Sequence, residues 1–476
     1  MQDAISNTSM KKWIWLLIGP MAFLICAYFL SFEPAQNKVI GSVVWMLIWW
    51  VSECIPMAVT ALIPLLLFPM SGVMNMESTC LSYSNRFVFL FLGGFLIALA
   101  MEKWQLHRRI AMMVVRATGT SANRIILGFL LATYFISMWI SNTATTLMMF
   151  PIVTSVLTLL VKENRDKSHR HFSTALMLSI AYGASIGGIA TLVGSPPNAS
   201  MAGIMSKSFN IEISFIEWMK WGLPFSFLLL MGVYIVLVHV LFPNRLGTFP
   251  LGKEVIESEY RSLGRMSAAE KRVFILFILA AVLWITQSPV AAMLKQLGAE
   301  WSDTTIALLI GCLMFVVPSG QGKAMLDWRD TERLPWGILL MFGGGMSLAA
   351  GFETSGLIDV ITAAFSQMQD VSPFYIMMWM CLSGLILTAL LSNIAMVNAF
   401  VPIVAATAVG LGIDPVACVI PVTMAASCDF MFPMSTPPNA IVYSSGYIRS
   451  ADMLKGGLLL NVLSFMLLLG LIWMIT

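Results

Sequence analysis

Charge is what this chain has least of. Asp, Glu, Lys and Arg make up 11% of its 476 residues, against about 25% in an ordinary soluble domain. With a formal net charge of only +3, no basic surface for nucleic acid is expected. Histidine is scarce: there are four, and His169 and His171 share one charged loop. The seven cysteines, at 26, 54, 80, 312, 381, 418 and 428, have no CxxC spacing. That scatter argues against a disulfide framework or a zinc site. A membrane enzyme would need His, Cys or paired acids close together at depth, and only Asp429 qualifies, so no catalytic residue is assigned.

What the chain has instead is apolar sequence. Hydrophobic residues are 58% of the whole, and mean hydropathy is +0.85. Runs at 13–30, 223–241, 273–285 and 456–475 approach the ~20 residues a helix needs to cross a bilayer. The chain therefore reads as an all-α polytopic membrane protein, and its fifteen Trp suit interfacial anchoring. Lys11-Lys12 precede the first run as they would in a signal peptide. The following Phe29-Leu30-Ser31-Phe32-Glu33 is a poor cleavage site, so that run reads as a retained span.

Three interruptions recur in order within the two apolar halves. Ser141-Asn142-Thr143-Ala144-Thr145 returns as Ser392-Asn393-Ile394-Ala395-Met396, 251 residues on. Ser195-Pro196-Pro197-Asn198-Ala199 returns as Thr436-Pro437-Pro438-Asn439-Ala440, 241 residues on. Gly93-Gly94 returns as Gly343-Gly344, 250 residues on. Such duplication is the pattern of a secondary transporter built from an internal repeat.

Eleven spans are expected, near 13–31, 38–52, 56–70, 87–102, 172–205, 221–243, 271–288, 304–318, 335–352, 412–447 and 456–475. Two re-entrant hairpins, 122–161 and 373–411, are each too long for one span and are broken by Ser-Asn. This arrangement puts only Lys38, Arg86, Lys207, Lys220 and Lys295 outside and the other 22 of 27 basic residues in the cytoplasm, as the positive-inside rule demands. The N-terminus is then cytoplasmic, the C-terminus is outside, and the halves form an inverted-topology repeat. Residues 103–121 read as an amphipathic membrane-surface helix with Arg108, Arg109 and Arg116 on its polar side. The polar stretch 244–270 reads as the connector between repeats.

Broken backbone at membrane depth is tolerated only inside protein or along a watery cavity. A Ser-Asn tip leaves carbonyls at the end of one half-helix, suited to a cation, and N–H groups at the start of the next, suited to an anion. Ser195 and Thr436, each followed by Pro-Pro, look like further half-helix starts. Four such starts around one cavity would hold a multivalent anion without a basic side chain. A single Ser-Asn or Pro-Pro is more often only a kink; two motif types, each duplicated in order, point to function. The glycine pairs are explained by close helix packing and are assigned no ligand. Glu53 reads as a surface acid. Asp429 lies deeper, as a proton or cation site or as an acid satisfying broken backbone.

The run Phe135-Ile136-Ser137-Met138-Trp139-Ile140-Ser141-Asn142-Thr143-Ala144-Thr145, with Thr436-Pro437-Pro438-Asn439-Ala440-Ile441-Val442, resembles the divalent anion/sodium symporter family. This family is also called the sodium:sulfate symporter family and includes sodium/dicarboxylate and citrate carriers. The resemblance spans nearly the whole chain. It implies a homodimer in the bacterial inner membrane, working as an elevator with scaffold and transport domains. The scaffold would comprise 1–86 and 206–334, the transport half-domains 87–205 and 335–447, and 448–476 would be the last span. The first sodium site would use Ser137, Ser141, Asn142 and Gly194; the second would use Thr388, Asn393 and Ser435. Substrate carboxylates would meet Ser141, Asn142, Thr143, Ser195, Ser392, Asn393, Thr436 and Pro437. Ile394 stands where the family usually has Thr, which removes a hydroxyl from the substrate face. The implied activity is sodium-coupled import of a small di- or tricarboxylate, with no cofactor beyond the coupling ions. A sodium-independent dicarboxylate exchanger and an anion channel are the alternatives.

Overall fold

The computed structural model describes residues 2–161, 166–249, 252–366 and 372–475. Helices account for nearly all ordered structure, and no strand forms among the described residues. The chain opens with α1 (Gln2–Phe29) and α2 (Pro34–Ser52), then three short pieces, α3 (Met57–Thr60), α4 (Ile63–Ser71) and α5 (Met76–Tyr83). Next come α6 (Arg86–Lys103) and α7 (Leu106–Thr118). The first hairpin is α8 (Ala122–Ser137) with α9 (Asn142–Val161), and the first broken span is α10 (Lys167–Ala190) with α11 (Pro196–Phe209). α12 (Phe215–Ile235) continues into a π-helical stretch, Val236–Leu241. α13 (Gly252–Ser262), α14 (Ala268–Ile285), α15 (Gln287–Lys295) and α16 (Asp303–Val316) lead to the second half. There α17 (Trp336–Thr354) and α18 (Leu357–Ser366) precede the second hairpin, α19 (Pro373–Thr388) with α20 (Asn393–Gly410). The second broken span is α21 (Pro415–Ala426) with α22 (Pro437–Tyr443), and α23 (Ser450–Ile475) closes the chain.

Among the described residues, eight helices are long and apolar enough to cross a membrane, or nine when α14 and α15, bent by 70°, count as one span. The other expected crossings are assembled from shorter apolar helices, including Met57–Ser71, Asp303–Val316 and Pro415–Ala426. The duplication is visible in element order: α7, α8–α9 and α10–α11 recur as α18, α19–α20 and α21–α22. The halves interlock, because α11 packs on α20 and α9 on α22. Each hairpin therefore lies against the other repeat's half-helix.

Glycine at the repeated pairs is explained by close approach. A Cβ on Gly93 would stand 2.4 Å from the Ala307 carbonyl carbon, so α6 meets the α16 backbone directly. Gly343 and Gly344 do the same for α17 against Tyr83 and Ala61.

Three elements differ from the sequence expectation. α18 and α15 form where loops were expected. α7 is amphipathic as expected, but its arginines are tied into ion pairs rather than left free on the surface. Arg108 pairs with Glu259 at 3.1 Å and Arg116 with Glu257 at 2.9 Å, both on the connector helix α13. Arg109 is 7% exposed and holds Glu270 of α14, with further bonds to the Leu263 and Gly264 carbonyls at 3.2 and 3.1 Å. That hydrogen bond to Glu270 raises the arginine's pKa above its ordinary value. The connector 244–270 covers the face that a linear reading leaves exposed.

Candidate functional site

Both hairpins break where apolar helix gives way to Ser-Asn. In the first, α8 ends at Ser137, and the next helix starts at Asn142 with Ser141 as its cap, whose hydroxyl accepts from the Ala144 N–H at 3.4 Å. In the second, the Ser392 hydroxyl accepts from the Ala395 N–H at 3.3 Å. The serine is thus the N-cap in each tip, the role its short side-chain oxygen suits. Asn142 and Asn393 stand at the first helical position with their side chains free for other work.

That work is the same in both repeats. The Ser137 hydroxyl lies 2.9 Å from Asn142 Oδ1 and 2.7 Å from the Ala184 carbonyl. The Thr388 hydroxyl lies 3.0 Å from Asn393 Oδ1 and 2.6 Å from the Ala426 carbonyl. Each tip asparagine is therefore propped from below by a buried hydroxyl that ties it to the broken span. Gly188 makes room for the first: a Cβ there would fall 2.4 Å from Asn142 Oδ1. Gly194 is equally confined, its would-be Cβ 2.8 Å from the Gly188 carbonyl oxygen and 3.0 Å from that of Met138.

The broken spans are fastened by two residues that the sequence reading left out of the site. Asn198 Nδ2 donates to the carbonyls of Gly188 and Thr191, at 2.9 and 2.8 Å. Asn439 Nδ2 donates to the carbonyls of Asp429 and Phe432, at 3.3 and 3.1 Å. These are carbonyls that a helix break orphans. The recurrence of the Asn in both Pro-Pro-Asn motifs was the available signal. Thr436 caps its helix, accepting from the Asn439 N–H at 3.4 Å, whereas Ser195 makes no side-chain cap bond.

The four segments meet on one cavity of about 1250 Å³. Ser141, Asn142, Thr143, Ser195, Ser392, Asn393, Ile394, Ser435, Thr436 and Pro437 all line it. Ser137 and Thr388 sit beneath the tips, and Gly194 sits at the bend of the first broken span; none of the three reaches the cavity. Apolar side chains such as Phe95, Leu99, Leu147 and Met341 form much of the wall. Arg333 is the cavity's one basic lining residue among those described; it is exposed, and Glu53 and Glu102 also line the cavity. Among the described residues, no basic side chain reaches the tips. Positive potential there comes from the starts of α9, α11 and α20, with a smaller share from α22, which has only seven residues.

The buried oxygens suit a cation as well. Ser185 Oγ and Asn198 Oδ1 in the first repeat lack a hydrogen-bond partner, as do Ser427 Oγ, Asn439 Oδ1 and both Asp429 carboxylate oxygens in the second. Unpartnered buried polar groups are costly, and oxygen donors of this kind match a hard cation better than a soft transition metal. No group of three or more His, Cys, Asp or Glu side chains capable of holding a metal occurs among the described residues.

An all-helical membrane chain with paired hairpin tips and paired broken helices around one anion-friendly cavity is a membrane carrier. The chain belongs to the sodium:sulfate symporter family, whose transmembrane-region model matches residues 8–476. Among curated proteins it is similar to the sodium-dependent dicarboxylate transporter SdcS of Staphylococcus saprophyticus, 37% identical over 471 residues, covering 96% of this chain and 89% of that one. The SdcS of Staphylococcus aureus strain USA300 is 36% identical over 472 residues, with the same coverage. Among solved structures, the fold is similar to that of Neisseria gonorrhoeae MtrF, described within a class of antimetabolite efflux pumps, and to the Alcanivorax borkumensis YdaH transporter. Each gives a TM-score of 0.56 at 13% identity, covering 94% and 97% of this chain and 96% of either neighbour. These are transporters, not enzymes.

Proposed function

We propose that this protein imports a small dicarboxylate across the plasma membrane together with sodium. The observation that carries this reading is the convergence of two Ser-Asn tips and two Ser/Thr-Pro-Pro starts on one cavity whose tip region has no basic side chain among the described residues. Helix starts and hydroxyls would hold the carboxylates. The cations would add the positive charge that the tips lack, which couples the two binding events. The first sodium would sit among Ser137, Ser141, Asn142 and Gly194, and the second among Thr388, Asn393 and Ser435. Substrate would contact Ser141-Asn142-Thr143, Ser195, Ser392-Asn393, Thr436 and Pro437. The SdcS relatives are named for sodium-dependent dicarboxylate transport, which favours a dicarboxylate over citrate as the primary substrate.

An elevator motion in a homodimer fits the packing. The hairpins and broken spans interlock with each other, α6 keys onto α16 at Gly93, and α17 packs on α3 and α5 on one side and on α11 and α20 on the other. The seam between scaffold and moving unit would then pass beside α6, which stays with the scaffold, and along α17, which touches both units. Glu53, Glu102 and Arg333 at the cavity wall belong to ends assigned to the cytoplasm, consistent with an inward-open carrier whose N-terminus is inside. Uptake of labelled succinate, citrate and sulfate into proteoliposomes tests the reading. Succinate should accumulate under an inward sodium gradient and not under a potassium one; sodium-independent succinate exchange would overturn the coupling.

A further inference from the structure

At one buried position the two repeats differ by a charge. Because Asn198 holds the Gly188 carbonyl and Asn439 holds that of Asp429, Asp429 occupies the place of Gly188. In the first repeat α10 runs on to Ala190, and the tip amide fills the space left by the missing Cβ. In the second, α21 stops at Ala426, and residues 428–430 are non-helical. That unwound run is closely packed. Tyr182 donates to the Phe430 carbonyl at 3.2 Å, and α23 approaches so closely at Gly457 that a Cβ would lie 2.3 Å from Met431 Cα.

Asp429 is 0% exposed. No hydrogen bond of good geometry reaches either carboxylate oxygen; the Ser435 hydroxyl stands beside the carboxylate and bonds the Phe432 carbonyl at 2.7 Å. No lysine, arginine or histidine pairs with it among the described residues. Ser435 itself lines the cavity, and Asn439 Oδ1 and Ser427 Oγ are unpartnered on the same segment. A buried carboxylate without a cation is strongly unfavourable, so such a group takes up a proton, pairs or coordinates metal; the unpartnered oxygens gathered around this one favour a cation.

We propose that the Asp429 carboxylate is a ligand of the cation bound at the second tip, giving that site a formal negative charge that the first lacks. The inference rests on the sodium-coupled reading and adds an inequality between the two sites. A single carboxylate among neutral oxygens suits a monovalent ion, since calcium sites gather several acids. The second site therefore fills at lower sodium than the first.

Direct binding of radioactive sodium to the purified protein, without substrate, tests this. The wild-type isotherm should show a tighter and a weaker phase. Asp429→Asn, and Asp429→Gly as in the first repeat, should weaken the tighter phase by about ten-fold or more, as expected on losing an ionised ligand. Asp429→Glu should stay within a few-fold of wild type, and Ser137→Ala should affect the weaker phase instead. Isotherms of the Asn and Gly variants that superimpose on wild type would overturn the assignment while leaving sodium coupling intact. So would a Glu variant as impaired as Asn. A wild-type protein that binds no sodium would overturn both the inference and the coupling on which it rests.

Discussion

At the scale of single residues, the tip asparagines carry the most weight. Asn142→Ala and Asn393→Ala each remove the acceptor facing a buried hydroxyl, Ser137 or Thr388, together with a candidate cation ligand. The loss should cost on the order of 1–3 kcal/mol at the site and abolish uptake, with the protein still folded and inserted. Substantial uptake by either variant in proteoliposomes counts against the site. Ile394 lines the cavity and also packs at the edge of a second apolar cluster that includes Val39, Trp50 and Phe68. Ile394→Thr offers a carboxylate a hydroxyl, a bond worth about 1.5–3 kcal/mol to a charged partner. Succinate should then bind roughly ten-fold tighter. A lowered thermal midpoint with unchanged affinity for every di- and tricarboxylate would show instead that the side chain serves packing.

Between elements, close approach and buried pairing decide what can be changed. Gly188→Ala would thrust a methyl to 2.4 Å from Asn142 Oδ1, so the first tip must shift while the second keeps its geometry. The expected result is a stable protein with weakened substrate binding, measured by thermal shift and by ligand titration; a variant with unaltered affinity would show that the tip tolerates displacement. Arg109→Leu breaks a different join. It leaves Glu270, itself buried, without its partner and uncaps the Leu263 and Gly264 carbonyls. Removing one member of a buried pair costs about 3–5 kcal/mol, so the midpoint of thermal unfolding should fall sharply. A fall no larger than that of Arg116→Leu, whose pair with Glu257 is more exposed, would show the join to be peripheral.

For the whole molecule the open quantity is orientation. With the N-terminus inside and two hairpins that do not cross, a single cysteine placed within 245–265 should label only from the cytoplasm, and one at the C-terminus only from outside. Labelling of both from the same side would mean that one hairpin crosses. The three exposed or partly exposed native cysteines and the four buried ones, none of them paired, must first be replaced for the reagent to report cleanly.

Composition and repetition by themselves determined the class of this protein: sparse charge, long apolar runs and three interruptions in the same order twice. Local rules went further. They placed both hairpins, because Ser-Asn in an apolar run and Ser/Thr before Pro-Pro are backbone signals readable within a few residues. They failed where a partner from elsewhere sets the outcome. The arginines of α7 look solvent-facing in sequence, and only the connector folding over them shows that they are paired. Asn198 and Asn439 recur in both Pro-Pro-Asn motifs, but which carbonyls they hold is set by how each broken span folds in three dimensions. Asp429 could be recognised as a buried acid from its neighbours. That it stands in the place of Gly188, unpaired and behind Ser435, was decided by tertiary structure, because desolvation and pairing depend on what surrounds a charge rather than on its position in the chain.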